Sequence, residues 1–116
     1  MDRLEVIDGN NWKAFTEEPG VAVLMLAKTG CPARAAWTDE LTEYLAADPQ
    51  VLGGVRFGKM LLDKPGLADL KRNNLWLASE VDVVPYNVIY SGGRRHKSFP
   101  GGGMERLETR LKQLGD

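Results

Sequence analysis

Cys31 is the only cysteine in the chain and the one side chain with the chemistry of a soft nucleophile. It lies in Lys28-Thr29-Gly30-Cys31-Pro32, with Arg34 three positions further on. A thiol reacts as its thiolate, so what matters is whatever stabilises negative charge on the sulfur. Pro32 suits the first turn of a helix, where its missing N–H would have had no intrahelical partner. Cys31 is therefore expected at a helix N-terminus, where free N–H groups and the helix dipole favour an anion. Arg34, one turn on, adds a permanent positive charge, and Lys28 offers a second. A helix end with a neighbouring cation lowers a thiol from about 8.5 by one to several pKa units. Each unit corresponds to ~1.4 kcal/mol of preference for the thiolate.

A bland reading stands beside each of these. A lone cysteine is often a small buried residue, Arg34 can be a solvated helix residue, and Lys28 a plain surface lysine. One cysteine excludes an internal disulfide and a Cys-rich metal site. The single His96 has no carboxylates near it at helical ligand spacing, so no metal is expected.

The elements that must position Cys31 follow from the pattern on either side of it. The run 21–27, VAVLMLA, is continuously apolar and reads as a strand buried on both faces. It leads through the Cys31 loop into a helix over about 33–47, whose apolar face carries Trp37, Leu41, Tyr44 and Leu45. Before it, residues 4–7 read as an edge strand. Asp8-Gly9-Asn10 then offers turn and cap chemistry, with Trp12 and Phe15 on a short helix that ends at Pro19-Gly20. After it, Asp48-Pro49 breaks the helix, and 55–62 reads as a second inner strand. Pro65 opens a helical stretch with Leu67, Leu70 and Leu75 offered for its apolar side, which Asn73-Asn74 interrupts. Residues 86–90 form a β-rich run, and Ser91-Gly92-Gly93 gives a hairpin into a more polar strand over 94–99. Pro100-Gly101-Gly102-Gly103 reads as a flexible corner. The closing helix places Met104, Leu107, Leu111 and Leu114 on one side. Trp12 and Trp37 are expected as core anchors.

At 116 residues, with 43% hydrophobic and 27% charged side chains, the chain reads as one globular domain over 1–116. Fifteen basic against sixteen acidic side chains leave a net charge of -1, so neither nucleic acid nor an anionic membrane is an expected partner. No apolar run approaches the ~20 residues of a membrane span. The start lacks the layout of a secretory signal, and the expected location is cytoplasmic. The basic run 94–97 reads as a solvated strand edge that discourages aggregation, with an anionic partner as the alternative.

With the elements in the order β-α-β-α-β-α-β-β-α, the chain resembles the thioredoxin and glutaredoxin superfamily over nearly its whole length. Cys31-Pro32-Ala33-Arg34 stands where that family places Cys-x-x-Cys. Val84-Pro85 resembles the hydrophobic residue and cis-proline that face the active cysteine. Gly93 falls at the family's hairpin turn and Gly101 near its later glycine. The loop 28–32 is closest to the glutaredoxin style, with a lysine shortly before Cys-Pro. The resemblance implies an α/β, thioredoxin-like fold: a mixed central sheet with helices on both faces.

The departures narrow the chemistry. Arg34 replaces the resolving cysteine, which excludes a dithiol disulfide reductase. Met25 stands where thioredoxins keep a buried acidic residue, and Gly30 replaces the usual tryptophan. The connection from Asp63 to Pro85 is longer than in the shortest members. The resemblance then implies a monothiol oxidoreductase or redox-responsive thiol protein acting on a protein thiol or disulfide. Cys31 would be its nucleophile and Arg34 its charge partner, with no resident cofactor, and glutathione or another small thiol would complete the cycle. A cis Pro85 would leave a nearby carbonyl or N–H free to align an extended peptide or glutathione. Lys28, Pro32, Val84, Pro85 and Tyr86 are the candidate substrate-binding residues, although Tyr86 fits the core equally well. The alternative is a non-catalytic thioredoxin-fold adaptor that holds a partner in the groove beside Cys31 and Pro85. A third reading, an iron–sulfur site shared by two chains, is disfavoured by Arg34 in place of a small residue. The sequence sets no oligomeric state.

Overall fold

The apolar run Val21–Ala27 (β2) is the centre of a five-stranded sheet in the computed structural model, which describes residues 4–30, 32–46, 54–81 and 84–114. The other strands are β1 (Leu4–Val6), β3 (Arg56–Leu61), β4 (Tyr86–Ser91) and β5 (Arg94–Pro100). Their spatial order is β1-β3-β2-β4-β5. β3 runs parallel to β1 and to β2, while β4 is antiparallel to β2 and β5 to β4. Parallel neighbours need a crossover, and helices α1 (Trp12–Glu17) and α2 (Pro32–Ala46) supply it. The β4–β5 hairpin turns on Gly92 and Gly93, at φ 61° and 82°, values a two-residue hairpin turn favours and glycine adopts without strain.

A strand with helices on both sides buries both sets of alternate side chains, which explains why β2 is apolar at every position. On one face, Val23, Met25, Phe57, Ile89 and Phe99 pack with Trp37, Leu41 and Leu45 of α2 and with Leu107 and Leu111 of α5 (Met104–Leu114). On the other, Ala22, Leu24, Leu26, Met60 and Val88 pack with Trp12 and Phe15 of α1 and with Leu67 and Leu70. Tyr44 of α2 donates its hydroxyl proton to Glu108 of α5, and that bond, more than burial, pushes the phenol up to about 12.

Sequence periodicity suggests one interrupted helix after Pro65, and the structure has two short ones, α3 (Ala68–Asn73) and α4 (Trp76–Glu80). Side-chain amides make the break. Asn73 Nδ2 donates to the Asp69 carbonyl at 2.8 Å, and Asn74 Nδ2 to the Leu70 carbonyl at 2.9 Å. Carbonyls at a helix end are satisfied this way without a further turn. Helix α4 is then fastened to β5 by Arg95, whose guanidinium stacks 4.2 Å from the Trp76 ring and bonds to the Glu80 carboxylate.

The end of α1 is fastened by another arginine. Arg56 donates to the carbonyls of Pro19 (2.6 Å), Phe15 (3.0 Å) and Glu18 (3.0 Å). Its position on β3 ties the first helix to the sheet.

Candidate active site at the end of the central strand

β2 delivers the chain to Lys28-Thr29-Gly30, and α2 begins at Pro32. Cys31 lies outside the described residues, as does the side chain of Arg34, whose backbone belongs to the first turn of α2. What the structure does define is the frame around them. The Thr29 amide donates to both carboxylate oxygens of Asp63, at 3.1 and 3.2 Å, and its hydroxyl bonds to Oδ1 at 3.1 Å. These bonds hold the Asp63 carboxyl below its usual range and tie the loop before Cys31 to the end of β3. Neither Thr29 nor Asp63 was a candidate from the sequence, since nothing local marks residues 34 positions apart as partners.

The Val84–Pro85 peptide is cis. Because Tyr86 is in register with Leu26, Pro85 lies at the end of the sheet where β2 passes into α2. Lys28, Pro32, Val84 and Pro85 are thus placed at one end of the sheet by the register. The Pro85 carbonyl accepts the Gly101 N–H at 2.7 Å, which ties the cis-proline to the 101–103 corner. Tyr86 is a core residue: its ring packs with Met60, Leu67 and Leu70, and its hydroxyl is 2.9 Å from Ser98 Oγ.

The corner at 101–103, read as flexible, is fixed. Gly101 bonds to Pro85 through its N–H, and its carbonyl accepts Asn87 Nδ2 at 2.6 Å. Gly102 lies so close to Trp37 that a Cβ there would sit 3.0 Å from the indole. Asn87 is the residue sequence reasoning passed over. It is fully buried at 0% exposure, and its Oδ1 accepts the indole N–H of Trp37 at 2.8 Å. An asparagine inside the β-rich run 86–90 was the available signal, because asparagine is depleted in strands unless its side chain has partners.

Met25 is 1% exposed and in register with Lys59 on one side and Asn87 on the other. The Thr38 hydroxyl lies 4.0 Å from its sulfur, so the position where the resemblance implies an acidic residue is apolar and buried here.

Over this whole architecture the chain is similar to thioredoxin Mala s 13 of Malassezia sympodialis, at TM-score 0.75 and 16% identity, covering 100% of this chain and 94% of that one. It is also similar to thioredoxin f2 of Chlamydomonas reinhardtii (TM-score 0.74, 20% identity, 96% and 95% covered). Spinach chloroplast thioredoxin f in its short form gives TM-score 0.75 at 14% identity, with 97% and 94% covered. The chain has the thioredoxin fold. No protein-family model matches it, and no curated protein sequence does.

Within the thioredoxin fold, Lys28 lines a cleft of about 390 Å3 with Leu62, Lys71, Leu77 and the 76%-exposed Leu75. Among the described residues no helix is long and apolar enough to cross a membrane, and no group of three or more His, Cys, Asp or Glu could hold a metal ion.

Proposed function

We propose that the chain is a monothiol thiol–disulfide oxidoreductase, or a redox-responsive thiol protein using the same step, with Cys31 as nucleophile. The observation that carries this is where α2 starts. Pro32, directly after Cys31, opens a 15-residue helix at the end of the central strand, and a helix N-terminus favours a thiolate. The Cys31 thiolate attacks a disulfide, forming one S–S bond to Cys31 and releasing the other sulfur as a thiolate. An outside thiol, glutathione or a similar small one, then attacks that mixed disulfide and regenerates the Cys31 thiolate. Arg34 in the first turn stabilises the anion. The thioredoxins among the structural neighbours support protein thiols and disulfides as the partner class.

The test is the pH dependence of Cys31 alkylation in the wild type and in Arg34→Ala. The expected midpoint lies below the free-thiol value of about 8.5 and rises in the variant. A wild-type midpoint at or above that value, with slow alkylation, removes the catalytic reading.

The cleft beside Lys28, with exposed Leu75 on its wall, favours a second reading, a thioredoxin-fold adaptor without turnover. Cys31→Ser then leaves binding and biological activity intact. Loss of all activity in a folded Cys31→Ser protein counts against it.

A further inference from the structure

A second concavity lies at the ends of the three parallel strands. The last residues of β1, β3 and β2 and the segment 64–67 enclose a cavity of about 470 Å3, within the size range of small-molecule sites. Its wall is apolar, formed chiefly by Val6, Met25, Ala27, Met60 and Leu67. Met25 and Met60 belong to opposite faces of the sheet, so the cavity is a notch across the strand ends.

Charge decides what such a notch would take. Lys59 lines it, is half-buried, and is flanked in register by Val6 on β1 and Met25 on β2. The two strand positions able to supply a counter-charge hold a valine and a methionine instead. Among the described residues Lys59 makes no ion pair, and Lys64 at the rim makes none either. The one carboxylate lining the cavity, Asp8, has its Oδ1 engaged by the Asn10 N–H at 2.8 Å. An apolar wall that includes a half-buried lysine without an ion pair complements a molecule with an aliphatic body and one negative end.

We infer that this notch binds a small aliphatic monocarboxylate, with its chain against Met25, Met60 and Leu67 and its carboxylate on Lys59. The inference is independent of Cys31: it holds equally for a protein whose thiol is blocked or inert.

Octanoate is the probe and 1-octanol its uncharged counterpart, each titrated into the full chain with 13C-methyl-labelled methionine and followed by NMR. Octanoate is expected to shift the Met25 and Met60 methyl resonances saturably and to bind more tightly than octanol. In Lys59→Met the preference for octanoate should vanish, with about a tenfold or greater loss of octanoate affinity, the size of one charge-assisted hydrogen bond, while octanol binds as before. Val6 is 63% exposed, so Val6→Glu does not disturb the core. It sets a carboxylate beside Lys59 and should weaken octanoate to a similar degree. Methyl resonances that do not move, equal affinity for octanoate and octanol, or undiminished octanoate binding in either variant would each overturn the inference.

Discussion

The indole N–H of Trp37 donates to Asn87 Oδ1 at 2.8 Å, across 50 residues of sequence. That bond joins α2 to β4, and Asn87 passes the link on by donating to the carbonyls of Gly101 and Phe99. The helix that follows Cys31, the strand that follows cis-Pro85 and the 101–103 corner are therefore held by one buried amide. A polar group removed from water costs stability when its partner is lost, more than the bond itself contributes.

Trp37→Phe should therefore destabilise the fold by about 1–3 kcal/mol, the cost of leaving one buried acceptor unpaired. Asn87→Leu should cost more, because it strands both the Trp37 N–H and the Gly101 carbonyl. Urea unfolding followed by far-UV circular dichroism measures both. If neither variant moves the midpoint, the amide does not hold these elements together.

The Thr29–Asp63 clamp should be sensitive to acid. Hydrogen bonds from Thr29 keep the folded Asp63 carboxyl below its ordinary value of 3.8. The clamp's contribution to stability is then fully present above 3.8 and lost as pH falls through the lowered folded value. Thr29 amide exchange, corrected for its intrinsic pH dependence, should show constant protection down to about pH 5 and decline below the ordinary carboxylate range. Asp63→Ala should expose that amide at every pH. Protection that survives either treatment would mean that other contacts hold the loop.

Gly58→Ala tests the junction of β1, β3 and α1. The added Cβ would stand 2.6 Å from Ile7 Cγ1 and 2.9 Å from Phe15 Cζ. Overpacking of this kind costs about 1–3 kcal/mol. A drop in thermal midpoint is expected, and an unchanged midpoint would show that Ile7 and Phe15 yield freely.

Arg56 should resist conservative replacement. Its planar fork reaches three carbonyls at the end of α1, and an ammonium cannot reproduce that fan of donors. Arg56→Lys should retain only part of the stability that Arg56→Ala loses, with the difference from wild type about 1–2 kcal/mol. Denaturant midpoints compare the three proteins, and equality of Arg56→Lys with wild type would reduce the clamp to simple charge.

Much of the fold was legible because hydrophobic periodicity is local. VAVLMLA at 21–27 announced a strand covered on both sides, Gly92-Gly93 announced the hairpin, and the spacing of Leu107 and Leu111 announced the last helix. The interruption at Asn73-Asn74 was visible too, although the two helices it creates depend on where the amides bond. The site was legible in part. Its loop and its cis-proline lie at one end of the sheet, as the resemblance implied, while the core packing of Tyr86 depended on which helix covers that face.

The sequence by itself determined which segments are strands and helices, and that a single thiol without a partner cysteine stands between a buried strand and a helix. Tertiary structure alone decided that Asn87 meets Trp37, that Thr29 meets Asp63, and that Lys59 lies between a valine and a methionine. The reason is physical. Side-chain periodicity is set by neighbours a few residues away, whereas these pairings depend on strand register and on which helix covers which face. Both emerge only when distant segments pack.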